Sequence, residues 1–87
     1  MYLYKNIFII TDNIFMDRKD VLKQVGKNIQ RIRMAKGYTQ ETFSELMGCS
    51  WSYVAKIESG VLNFSLGKIT DLANYLKVDI NEILEIK

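Results

Sequence analysis

The sequence predicts an all-α domain of five short helices, preceded by a dissimilar N-terminal segment. Three observations carry that expectation. From Asp17 onward, apolar residues recur at three- and four-residue spacings, the period of helices that bury one face. Residues suited to cap a helix N-terminus (Thr39, Ser50, Ser65 and Asp79) stand just ahead of these runs. Gly37, Gly48 and Gly60 stand just behind three of them, where a chain leaving a helix turns left-handed.

The first helix follows Asp17. Val21, Val25, Ile29 and Ile32 form its apolar stripe, Lys and Arg surround it, and Gly37 ends it. The second, "TQETFSELM", opens at Thr39 and points Phe43 and Met47 inward. Ser44 is small enough to admit a neighbouring helix, and Gly48 closes the element. Ser50 then caps "WSYVAKIES", with Val54 and Ile57 as its inward residues and Gly60 as its stop. After the loop "VLNF", Ser65 opens a helix with Leu66, Ile69, Leu72, Ala73 and Leu76 on one face. The last segment starts at Asp79 with Glu82 three residues on, a capping-box pattern, and Ile80, Ile83 and Leu84 form its apolar side.

Residues 1–16 are expected to be a separate arm or tail, and residues 17–87 the domain. The unbroken apolar run from Ile7 to Ile10 is far short of the ~20 residues that cross a bilayer, and no small-residue cleavage site follows it. Tyr2, Tyr4, Ile7, Phe8, Ile9 and Ile10 favour an extended strand. A lone strand is unstable, so this segment either pairs across a dimer or stays loose ahead of Met16.

Composition bounds the function. With 87 residues the chain fits one modest core, and with one cysteine it has no internal disulfide, so a cytoplasmic location is expected. There is no histidine, no cluster of metal ligands and no glycine-rich phosphate loop, so neither an enzyme nor a cofactor is expected. The net charge of +2 is unevenly spread: residues 17–60 hold eight Lys and Arg against five Asp and Glu. An anionic partner would be met there, although a solvated helix face accounts for the same bias.

Two short helices separated only by "GCS" cannot lie side by side. A turn of this length containing glycine sets them at a steep angle, which is helix-turn-helix geometry. The stretch "TQETFSELMGCSWSYVAKIESGVLNFS" resembles the lambda-repressor-like, Cro-type (XRE) family. The likeness runs from about Val25 to Leu84. It rests on Gly37 followed by Thr39-Gln40-Glu41, Gly48 in the turn, Ser50-x-Ser52-Tyr53, Ile57-Glu58-x-Gly60 and Asn63-x-Ser65. Departures from the family's pattern include Thr42 for Glu, Leu46 at a usually polar place, Phe64 for Pro, and Trp51 where Arg or Gln is common.

The resemblance implies a domain whose second motif helix enters the major groove while the first crosses the backbone. Ser50, Trp51, Ser52 and Lys56 would then read DNA, with Tyr53 near a phosphate. Thr39 and Gln40 would meet the backbone at the start of the preceding helix, and Asn63 and Lys68 from the far side. Each has a plainer role as well. Gln40 is a good helix former, Lys56 a surface lysine, Ser50 an N-cap, and Tyr53 a core ring. Cys49 stands at a usually small apolar place and reads as core. Arg33 and Glu58 match positions that form an ion pair in the family, a structural contact rather than a chemical one.

The function implied is that of a sequence-specific regulator of repressor or controller type, acting on double-stranded DNA as a homodimer. Dimer contacts are expected at Ile83 and Ile86 or in the N-terminal arm, with no membrane or small-molecule partner. The alternative is a protein-interaction module of the same fold, for which Trp51 and Leu46 would supply an apolar patch.

Overall fold

Four of the five helices end in the same hydrogen-bonded pattern, and those endings set the path of the chain. The computed structural model describes residues 17–86; the expectations for residues 1–16 fall outside it. The helices are α1 (Arg18–Ala35), α2 (Gln40–Met47), α3 (Trp51–Ser59), α4 (Leu66–Leu76) and α5 (Ile80–Ile83), with no strand among the described residues. Beyond α1, Tyr38 N–H reaches back to the Arg33 carbonyl at 3.1 Å. Cys49 does the same to Ser44 at 3.0 Å, Val61 to Lys56 at 3.2 Å and Val78 to Ala73 at 3.1 Å. This bond pairs carbonyls that the helix itself leaves unsatisfied, and it needs one residue at positive φ. Gly37, Gly48 and Gly60 supply it three times; Lys77, at φ 59°, is the non-glycine exception.

Four of the five N-termini are closed by side chains. Thr39 Oγ1 accepts from Thr42 N–H at 3.0 Å while Thr42 Oγ1 accepts from Thr39 N–H at 2.9 Å, a reciprocal box with threonine in place of the usual acid. Ser50 Oγ accepts from Tyr53 N–H at 3.1 Å and Ser65 Oγ from Lys68 N–H at 3.2 Å. Asp79 departs from the expected box. Its carboxylate accepts from Asn81 N–H at 2.9 Å, two residues on, while Glu82 N–H is taken by the Asp79 backbone carbonyl at 3.0 Å. Asp17 sits at the N-cap of α1 without a side-chain cap bond.

The core is one cluster: Val25, Ile29 and Ile32 from α1, Phe43 from α2, Val54 and Ile57 from α3, Ile69, Leu72, Ala73 and Leu76 from α4, and Ile83 from α5. Val21, Met47, Leu62 and Phe64 are half-buried against it. Leu66 is a correction to the sequence reading: it is 69% exposed. It occupies the first position of α4, one turn ahead of Ile69, and at that end the core has already stopped.

Two close approaches hold the layers together. A Cβ on Gly26 would lie 2.5 Å from the Glu58 carbonyl oxygen and 2.6 Å from that of Ile57, so α1 crosses the end of α3 with no side chain between. Asn28, buried on the inner side of α1, donates to the carbonyls of Ile83 at 2.8 Å and Glu85 at 2.7 Å, and accepts from Gln24 Nε2 at 3.1 Å. It thereby takes up carbonyls that a one-turn helix leaves open, and ties α5 to α1.

Candidate nucleic-acid interface

The centre of the site is a buried charge. Arg33 Nε meets Glu58 Oε2 at 2.6 Å and Arg33 Nη2 meets Glu58 Oε1 at 3.0 Å, a two-pronged pair with both side chains almost fully buried. Arg33 Nη1 donates onward to the Tyr38 carbonyl at 2.7 Å. One guanidinium therefore joins the end of α1, the turn after it, and the underside of α3.

The network continues outward to the surface. Gln40 Nε2 donates to Glu58 Oε1 at 3.0 Å, and Gln40 Oε1 accepts from Trp51 Nε1 at 3.0 Å. A carboxylate only accepts and an indole N–H only donates, so the Gln40 amide can be oriented one way. The amide keeps a second N–H that faces neither partner. Trp51, at 54% exposure, stands on the outer side of α3 at its first position.

Along the rest of α3, Ser52, Lys56 and Ser59 are exposed, Tyr53 and Ala55 are half-buried, and Val54, Ile57 and Glu58 are buried. The solvent face is thus Trp51, Ser52, Lys56 and Ser59, set by the three- and four-residue spacing of the inward positions. Ser59 was not singled out from the sequence; its hydroxyl donates to the Lys56 carbonyl at 3.1 Å. Asn63 is exposed in the loop after α3. Lys68, in the first turn of α4, holds its ammonium 5.4 Å from the Tyr53 ring centroid, a cation–π contact that joins α4 to α3. Thr39 is exposed, with its hydroxyl engaged in the α2 cap.

The structure thus draws Gln40, Trp51, Glu58 and Arg33 into one bonded chain, and Tyr53 and Lys68 into a second contact. Ser50, Ser52, Lys56 and Asn63 are exposed apart from either. Ile83 does not fit the dimer contact expected of it. At 0% exposure it lies inside the core, with no surface left for a second chain. Ile86, just past it, is 39% exposed. Cys49, within the turn between α2 and α3, is half-buried; burial pushes its thiol pKa up, while the nearby Lys68 ammonium pulls the other way.

Sequence reasoning missed Gly26 and Asn28. Signals existed for both: an isolated glycine inside a long helical pattern marks a close approach, and Asn28 is a polar residue on the apolar side. The Gln40–Trp51 bond had no sequence signal, since it depends on the angle between α2 and α3.

An all-helical domain with a glycine turn between two short helices, the second presenting polar and aromatic side chains outward, is of the helix-turn-helix class. Residues 29–83 match the helix-turn-helix family HTH_3, and the chain belongs to that family. Over 58 residues it is 38% identical to the uncharacterized HTH-type transcriptional regulator YazB of Bacillus subtilis, a stretch covering 67% of this chain and 84% of that protein. It is 35% identical over 65 residues to the uncharacterized HTH-type transcriptional regulator y4dJ of Sinorhizobium fredii, covering 75% and 84%. Among solved structures it is similar to the restriction-modification controller protein C.AhdI of Aeromonas hydrophila. Their identity is 39% and the TM-score 0.65, with 71% of this chain and 94% of that one covered. The hypothetical transcription factor NHTF from Neisseria superposes with a TM-score of 0.71 at 25% identity, covering 87% of each chain.

Proposed function

We propose that the protein is a sequence-specific double-stranded DNA-binding transcriptional regulator, of repressor or controller type, that binds a two-fold operator as a homodimer. The observation that carries this reading is the outer face of α3. Trp51, Ser52 and Lys56 project from a helix whose inner face is pinned by the Arg33–Glu58 pair. A helix held this rigidly and polar on its outside suits the major groove, which admits one helix and shows a distinct pattern for each base pair.

In this reading α3 lies in the groove, with Ser50, Trp51, Ser52 and Lys56 toward the bases and adjoining backbone. The second N–H of Gln40, with Thr39 beside it, meets a phosphate at the start of α2. Tyr53, Asn63 and Lys68 meet phosphates from the other side, where the capped N-terminus of α4 adds a favourable dipole. The relatives named as transcriptional regulators, and the named controller protein, support this class of function. The dimer contact falls to Ile86 and the surface around it. The reading involves no catalytic step and places the protein in the cytoplasm; no helix among the described residues is long and apolar enough to cross a membrane.

Selection of bound duplexes from a random-sequence DNA pool tests the proposal. Enrichment of one motif repeated about a two-fold axis is the expected result. A pool that stays unenriched after repeated rounds would favour the interaction module, with exposed Trp51 and Leu46 as its contact patch.

A further inference from the structure

We infer that Trp51 determines specificity by reading the C5-methyl group of a thymine, and that Gln40 is the residue that positions it. The inference rests on the function proposed above. An indole carries one donor and no acceptor. In this molecule the donor is already held, by Gln40 Oε1 at 3.0 Å. Gln40 is held in turn by Glu58 at 3.0 Å, and Glu58 by the buried Arg33. The exposed tryptophan is therefore tethered to the core through three successive side chains, Gln40, Glu58 and Arg33.

The tether has a chemical consequence. With its N–H engaged, the outward part of the ring presents carbon alone. The edges of base pairs in the major groove present hydrogen-bond donors and acceptors, and the thymine methyl is the apolar feature among them. Against a donor or acceptor the ring would strip water and return no bond, which is unfavourable. Against the methyl it loses nothing and buries apolar surface. Discrimination at this position thus comes from shape and desolvation rather than a two-pronged hydrogen bond. It depends on Gln40 holding the ring still.

The test uses the intact chain and a duplex recovered from a random-sequence pool. Each thymine in a half-site is replaced in turn by deoxyuridine, which removes the methyl and nothing else. One thymine per half-site should show an affinity loss of about three- to fivefold, the worth of one buried methyl. In Trp51→Ala the same replacement should leave affinity unchanged. Gln40→Met keeps the length of the side chain without its hydrogen bonds; it should shrink the deoxyuridine penalty although Trp51 remains, which loss of a phosphate contact alone would not do. Wild-type binding indifferent to every replacement overturns the inference and leaves the proposed function standing, and that arm requires no variant to fold. A penalty that persists in Trp51→Ala overturns it equally. If the wild type binds no duplex at all, both fail.

Discussion

At the scale of single residues, Gly26 and Cys49 show what packing does to side chains that look unremarkable in sequence. Adding a methyl at Gly26 drives it into two backbone carbonyls of α3, which have no rotamer through which to yield. Gly26→Ala is expected to lower stability by about 2 kcal/mol or more, measured by urea unfolding, although alanine is the better helix former by about 1 kcal/mol. Cys49 makes a chemical prediction. Because burial raises its thiol pKa, less thiolate is present at neutral pH than in an open chain. Alkylation at about pH 8, each rate divided by that of a free thiol in the same solvent, should therefore be slower in the native protein than in urea. Equal rates after that division would mean that the turn holding Cys49 opens freely.

At the scale of elements, the central feature is how α3 is fixed to its surroundings. Its N-terminus is closed by Ser50, its C-terminus by the turn at Gly60, and its inner face by Glu58. Glu58→Ala leaves Arg33 charged and buried without its carboxylate, and is expected to cost about 3 kcal/mol or more in unfolding free energy. Trp51→Ala removes an exposed ring and one hydrogen bond. It should stay within about 1 kcal/mol of the wild type while weakening DNA binding. A large stability loss in the tryptophan variant would mean that the outer face of α3 is wrongly assigned.

The same elements show how far the sequence could be read. Caps and glycine terminations are local chemistry, so Thr39, Ser50, Ser65, Gly37, Gly48 and Gly60 marked the helix ends correctly. Periodicity identified the inward faces but not where the core stops, which is why Leu66 lies outside it. It also cannot tell whether an apolar face meets its own chain or another, and so does not separate a dimer contact at Ile83 from the core position that Ile83 occupies. The interactions of Gly26, Asn28 and the Gln40–Trp51 bond arise only when elements distant in sequence meet.

At the scale of the whole molecule, a small core supports one surface on which charge and aromatic groups gather. The described basic residues are not confined to that surface, since Arg18, Lys19, Lys23, Lys27 and Arg31 lie along α1. Under the proposed function, Lys56 and Lys68 are the lysines that meet DNA, and α1 is scaffold. A dimer would then place four lysines against phosphates, giving a slope of log affinity against log salt of about −3.6. Affinity for a selected duplex, titrated from about 50 to about 200 mM salt, should thus fall about 150-fold. Loss of Lys56 together with Lys68 should flatten that slope. Affinity that does not change with salt, or absence of binding at the lowest concentration, would contradict the assignment of this face to DNA.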